Sequence, residues 1–339
     1  MTETAPSRVA EPKVQLIGCT VFVPPIIDEE GDMPKLYWPD EKNELAVRHG
    51  ALRQYDGQAL AEFAGRACYQ AFDKKNPSTA TNEGYLLNMA SQNHGSVVEH
   101  GSVTFYFTGI SRNLSHELVR HRHLSFSQLS QRYVDSSNVK VVVHPLIKDW
   151  MEALFDEGRL QHPDHKILDE EGRELSKEEA LAEGRNHFAN ELLEERLEDY
   201  AAFADEFKSV MPDLKTKQVR EAARGVLPTT VETRMVVTGN YRAWLEFLAK
   251  RDHPAADREI QGLAKEVGLQ LALHAPNIFG PEALATWRGE SKAQQAPKER
   301  PSAQDWEQKI SRALGIKPGE INFKLDEALA LIERMKENS

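Results

Sequence analysis

Two hydrophobic periods alternate along this chain. From Gln58 to Phe72, the residues Ala59, Leu60, Phe63, Ala64, Ala67, Cys68, Ala71 and Phe72 recur at helical spacing, and Asn82 is placed to cap a second helix through Met89. Between Gly101 and Gly109 the period drops to two. Val103, Phe105 and Phe107 alternate there with Thr104, Tyr106 and Thr108, which predicts a strand with one apolar face. Ser111 then reads as the N-cap of a helix carrying Leu114, Leu118 and the triplet Arg120, His121, Arg122. Val139 to His144 reads as a strand ending before Pro145. An amphipathic helix is predicted from Asn186 to about Met211, and a shorter one from Lys215 to Gly225, ended by Pro228. Val231 to Gly239 reads as a strand, Asn240 as the cap of a helix over Tyr241 to Lys250, and Ala256 to His274 as a helix before Pro276. Helices dominate around strands that are not regularly interleaved with them. That predicts an α+β fold, helices around a small mixed or antiparallel sheet, over a doubly wound one.

Segments without a period divide the chain. Residues 1–13 read as a disordered lead-in, 14–280 as one folded domain, and 281–339 as an extension. Within the domain, residues 146–184 are charged, with acidic blocks and little periodicity, and are expected to form a surface insertion. In the extension, Gly289 to Gln304 is rich in Lys, Gln, Pro and Ala like a linker, and leads to an amphipathic helix, Leu325 to Met335. No internal repeat is evident.

Composition narrows the class. Of the 339 residues, 40% are hydrophobic and 28% charged, and no apolar run nears the roughly 20 residues that cross a bilayer. The N-terminus lacks the apolar core of a secretory signal, so cytoplasmic residence is the expectation. Cys19 and Cys68 form neither a metal quartet nor a disulfide framework; both are expected to be small buried hydrophobes in a reducing compartment. A net charge of −11 disfavours generic nucleic-acid binding, so positive clusters must be specific pockets.

The strongest such cluster is Arg120 to Tyr133, R-H-R-H-L-S-F-S-Q-L-S-Q-R-Y. Arginine forks bind phosphate or carboxylate bidentately, serine and glutamine direct hydrogen bonds, and imidazoles stack or titrate near neutrality. The mixture describes a pocket for an anionic, planar ligand; the bland alternative is a basic surface helix that binds nothing. No G-x-G-x-x-G or P-loop sequence is present, so any dinucleotide must be held without those fingerprints.

R-H-R followed by S-x-R-Y resembles the signature of the flavin-dependent thymidylate synthases. The resemblance runs from about Val14 to Gly280, through F-A-G-R-A-C-Y (Phe63 to Tyr69), H-G-S-V-V-E-H (His94 to His100) and V-L-P-T-T-V-E-T-R-M-V-V-T-G-N-Y-R-A-W (Val226 to Trp244), in the family's order. It implies conversion of dUMP to dTMP for dTTP synthesis, with FAD as cofactor, NADPH as reductant and methylenetetrahydrofolate as carbon donor. A cysteine thiolate strategy is disfavoured because neither cysteine lies in an electropositive, polar motif.

By the same resemblance, Ser130, Arg132 and Arg224 hold the dUMP phosphate. Glu117, Arg120, Gln128, Leu129 and Gln131 match further nucleotide contacts, and Arg251 lies against the pyrimidine carbonyl and N3. There a fixed cation would stabilise enolate-like charge, which makes Arg251 the leading catalytic residue. Flavin contacts fall on His94, Ser96, Glu99, Arg120, His121, Arg122, Gln128, Asn240, Tyr241 and Arg242. The family builds each site from several subunits, which implies a homotetramer with shared active sites. Taken alone, Arg251 reads as a helix C-terminal cation and Arg224 as half of a surface ion pair with Glu221.

Two positions depart from the family. Glu246 stands where relatives carry an amide or imidazole, and Ala255 where a histidine is frequent; His253 reads as a surface residue. Two other function classes compete. A metal-dependent hydrolase would draw on His94, Glu99, His100, His116, His121 and His123, but their spacing is not a standard zinc pattern and arginines surround them. An RNA-binding module would use Arg120, Arg122, Arg132, Phe126 and Tyr133, against the acidic balance of the chain. No metal, nucleic-acid or membrane partner is therefore expected.

Overall fold

The computed structural model describes residues 7–22, 56–72, 76–157 and 172–289. At its centre, four strands form an antiparallel sheet: β1 (Lys13–Cys19), β2 (Ser102–Ser111), β3 (Ser125–Gln128) and β4 (Glu232–Asn240), in the order β1-β2-β4-β3. The α+β expectation holds, and the sheet is antiparallel throughout. On β2 the predicted alternation is realised: Val103, Phe105 and Phe107 are buried, and Thr104 instead reaches across to Thr238 at 2.9 Å. The β2 register slips between Phe107 and Ile110, where Gly109 has φ +67° and a Cβ would lie 1.9 Å from the Glu11 carbonyl oxygen. Only glycine fits that bulge.

Against this apolar face pack α7 (Tyr241–Arg251) and α8 (Arg258–His274). The Trp244 ring stands edge-on to Phe105 at 5.1 Å and to Phe247 at 5.7 Å. Burying each such side chain stabilises by about 1.5–3 kcal/mol, enough to fix helix α7 on the sheet. Asn240 caps α7 as expected, its side chain accepting from the Ala243 N–H at 2.9 Å.

The helix α1 (Asp56–Tyr69) presents a different face from the one its apolar stripe predicts. Its buried side carries Gln58, Ala61, Glu62 and Arg66, while Cys68 is exposed and Cys19 half-buried. A satisfied polar network explains this. Arg66 donates to Glu62 at 2.6 Å, to the Ala71 carbonyl at 2.9 Å and to the Thr79 carbonyl at 2.6 Å, and Asn82 donates to Glu62 at 2.9 Å. The stripe still finds rings, Phe63 meeting Phe22 and Phe72. In α2 (Asn82–Ser91) the cap is Thr81, one residue before the position expected, and Asn82 is free to join the α1 network.

Four further expectations change. The helix after Ser111, α3 (Arg112–Leu118), stops before the Arg120, His121, Arg122 triplet, because the chain must turn within six residues to pair β3 with the edge of β4. Residues 139–144 make isolated bridges from Val141 to Val9 and Val231 in place of a strand. The expected insertion is bounded by helix: α4 (Pro145–Asp156) opens on Pro145, and α5 (Lys177–Val210) begins well before Asn186, on a Ser176/Glu179 capping box. Residues 7–12 are not a free lead-in, since Ala10 is buried and bonded to Val141. The shorter predicted helix is α6 (Thr216–Ala223), and two more helices, α9 (Pro276–Phe279) and α10 (Pro281–Trp287), follow α8. The linker past Gly289 and the helix at Leu325 to Met335 lie outside the described residues.

Candidate active site

Helices α3 and α7 converge on one cluster. Arg251, the last residue of α7, donates from Nη1 to the Glu117 carboxylate at 2.7 Å, from Nη2 to the Glu117 carbonyl at 3.4 Å, and from Nε to His121 Nε2 at 3.0 Å. His121 must therefore be an acceptor. Its surroundings enforce that: burial first, then the positive charges of Arg251 and Lys250, push the imidazole down to about 4, so it is neutral at pH 7. Its ring stands edge-on to Phe247 at 5.2 Å. Two residues more than a hundred positions before Arg251, Glu117 and His121, thus hold its guanidinium in a fixed plane. Two of its five N–H groups remain without a partner among the described residues.

The end of the signature forms a second cationic cluster with α6. Arg132 pairs with Glu221 at 2.7 Å, and Arg220 donates to the Tyr133 carbonyl and to Asp135, both at 2.7 Å. Glu221 is thus engaged by Arg132, not by Arg224 as the ion-pair alternative supposed. Arg224 sits at the C-terminal cap of α6, half-buried. Between Arg224 and the signature lies an arginine that the sequence pattern passed over. Arg112 donates to the Leu129 carbonyl at 2.9 Å, and burial, then the nearby Arg224 charge, hold its guanidinium below its ordinary value. The Nε atoms of Arg112 and Arg132 are buried with no hydrogen-bond partner among the described residues. Like charges and orphaned donors at one place fit an anion. The overlooked signal was a cation at the first position of a helix, where the dipole opposes it.

Polar groups of the loop are held from below. Gln128 donates to Ser115 at 3.0 Å and to Thr233 at 3.2 Å, which keeps its carbonyl oxygen as an acceptor. Leu129 donates its N–H to the Arg234 carbonyl, Ser130 Oγ accepts from the Arg132 N–H at 3.4 Å, and Gln131 is buried.

Arg120, His121, Arg122 and His123 line a cavity of roughly 160 Å3 with Leu124, Ala243, Glu246 and Lys250. Glu246 pairs with Lys250, and that hydrogen bond lowers its carboxyl below the usual range. A neighbouring cavity of roughly 180 Å3 shares Glu246 and reaches Gly95, Arg242 and Trp287. Arg242 pairs there with Glu99; Ser96 is exposed and His94 half-buried beside them. Tyr241 is different. Its ring is wholly buried against His274 and Phe279, and its N–H donates to the Gly101 carbonyl, so it supports the site from within the core and presents no side chain to a ligand. Ala255 lies in an exposed turn, where its N–H is accepted by His253, consistent with the surface reading of that histidine.

Among the described residues, no group of three or more His, Cys, Asp or Glu side chains is placed to hold a metal ion, and no helix is long and apolar enough to cross a membrane. Residues 52–277 match the family described as Thymidylate synthase complementing protein, Thy1. The chain is 44% identical over 286 residues to a protein named flavin-dependent thymidylate synthase from Mycobacterium tuberculosis (strain H37Rv), covering 84% of this chain and 94% of that one. A protein of the same name from Mycobacterium avium is also 44% identical, with the same coverage, and one from Mycobacterium marinum is 42% identical over 297 residues, covering 88% of this chain and 98% of that one. The family match spans strands β2 to β4, both arginine clusters and the helices that carry them, and the chain belongs to the Thy1 family of flavin-dependent thymidylate synthases.

Proposed function

We propose that this protein converts dUMP to dTMP with FAD as cofactor, NADPH as reductant and methylenetetrahydrofolate as carbon donor. The observation that carries the reading furthest is the guanidinium of Arg251, fixed by Glu117 and a neutral His121 with N–H groups to spare. Against a pyrimidine carbonyl, such a cation stabilises the charge that develops as C5 attacks the carbon donor, with no reorganisation at the moment of reaction. Arg132, Arg224 and Arg112, with Ser130, take the phosphate; Glu117, Arg120, Gln128, Leu129 and Gln131 orient sugar and base. Serine 130 acts as a hydrogen-bonding group there.

The cofactor site is proposed on His94, Ser96, Glu99, Arg120, His121, Arg122, Gln128, Asn240 and Arg242, with Tyr241 beneath. When bound there, reduced flavin would supply the hydride for the methyl group, and Arg120, Arg122 and Arg242 would favour its anionic form. The two cavities beside the signature, of roughly 160 and 180 Å3, are each smaller than the 300 Å3 or more of a typical ligand site, so neither encloses a whole dinucleotide. That supports a site completed by other subunits in a homotetramer. Exposed apolar side chains, among them Trp150, Phe203 and Val210, supply surface for such contacts.

The test is an anaerobic FAD titration followed by visible absorption, before and after NADPH and dUMP, with dTMP detection and light scattering. Flavin bands that bleach on reduction, dTMP as product and a tetrameric mass are expected. A folded protein that binds no FAD, or a monomer at assay concentration, would overturn the corresponding part.

A further inference from the structure

Ser111 is the junction between the sheet and the nucleotide-site helix. It ends β2, paired with Glu232, and its Oγ caps α3 by accepting from the Leu114 N–H at 3.0 Å. The same residue is gripped from outside by one carboxylate: its N–H donates to Glu259 Oε1 at 2.8 Å and its Oγ–H to Glu259 Oε2 at 2.6 Å. Glu259 is itself fixed in the first turn of α8, where its N–H donates to the Asp257 side chain at 2.8 Å. A negative side chain there is favoured by the helix dipole.

Each of the two Ser111 donors meets its own acceptor oxygen, an arrangement that a carboxylate offers and an amide, with one oxygen, does not. Burial raises the pKa of this carboxylate, and the two donors it accepts from, both on Ser111, are neutral. What depends on it is the orientation of a two-turn helix. Along α3, Arg112 reaches Leu129, Ser115 reaches Gln128, and Glu117 reaches Arg251. Leu114 and Leu118 seat this short helix in the core while the cap at Ser111 fixes where it starts, and a small rotation displaces all three contacts together.

We propose that Glu259 is a positioning residue for the nucleotide site, acting through Ser111 on α3. The inference rests on the dUMP reading of that site. It is tested in the flavin-loaded protein by titrating dUMP against the flavin spectrum for wild type, Glu259→Gln, Ser111→Ala and the double variant, with steady-state kinetics for each.

Glu259→Gln keeps the length of the side chain but offers one acceptor. Its dissociation constant for dUMP is expected to rise at least fivefold and kcat/KM for dUMP to fall at least tenfold, with FAD content unchanged. The double variant is expected to be no worse than the weaker single one, because both break the same link. Ser111→Ala gives the same readout should Glu259→Gln not fold. Wild-type affinity in either folded variant, or additive losses in the double one, would overturn the proposal. Failure of wild-type holoprotein to bind dUMP would instead overturn the nucleotide reading beneath it.

Discussion

Replacing Arg251 by alanine separates the cost to the fold from the cost to the chemistry. Arg251 makes one charge-assisted bond to Glu117, one bond to His121 and one long bond to a carbonyl. Its side chain is 21% exposed and that of Glu117 36%, so solvent screens the pair and it stabilises by about 1 kcal/mol. The His121 bond adds about 1 kcal/mol. Losing about 2 kcal/mol from a domain of this size lowers Tm by several degrees, about 4–8 °C, and leaves the fold intact. A preorganised donor at developing charge is worth more, about 3–4 kcal/mol, or 10²- to 10³-fold in rate. Arg251→Ala is therefore expected to retain FAD, melt several degrees lower and form dTMP at least a hundredfold more slowly in single turnovers at saturating dUMP. Turnover within tenfold of wild type, in protein that still holds flavin, would refute the role. Arg251→Lys keeps the charge but not the fork, and is expected to recover little.

Three further outcomes follow from the geometry. Because Arg112 and Arg224 repel and Arg112 and Arg132 carry orphaned donors, dUMP is expected to raise Tm more than deoxyuridine does; Arg112→Met should erase that difference, and an equal shift with both ligands would count against a phosphate site. His121 and His274 are both pushed down to about 4 by burial, below the unfolded value near 6.5, so the stability they contribute is complete above pH 6.5 and is lost as pH falls toward 4. For the buried His274 this amounts to roughly 3 kcal/mol, and His274→Asn should flatten the fall in urea midpoint between pH 7 and 5; an unchanged slope would contradict it. At Gly101 a Cβ would lie 2.4 Å from the Tyr241 ring, so Gly101→Ala is expected to unseat that ring and cost about 1–3 kcal/mol in a denaturant titration, against a near-neutral result if the ring has room to move.

Wherever one local rule dominated, the sequence was legible. The alternation at Val103, Phe105 and Phe107 meant a strand because one face had to leave water, and Ser111 and Asn240 meant helix starts because their oxygens satisfy orphaned N–H groups within three residues. The proposed anion site was read from the arginine-rich signature on a similar ground: that density of guanidinium forks has few other uses. Legibility failed where distant partners decided. The stripe on α1 pointed the wrong way because Thr79, Ala71 and Asn82 satisfy Glu62 and Arg66, which a local pattern counts as surface. The helix at Ser111 stopped short of Arg120 because an edge of β4 was waiting for residues 125–128. Tertiary structure alone set Glu117 and His121 on Arg251, more than a hundred residues away, kept that imidazole neutral, and placed Arg112 beside Arg224. Residue types and their spacing fix which chemistry is available; charge states and mutual orientation depend on burial and on neighbours that only the folded chain brings together.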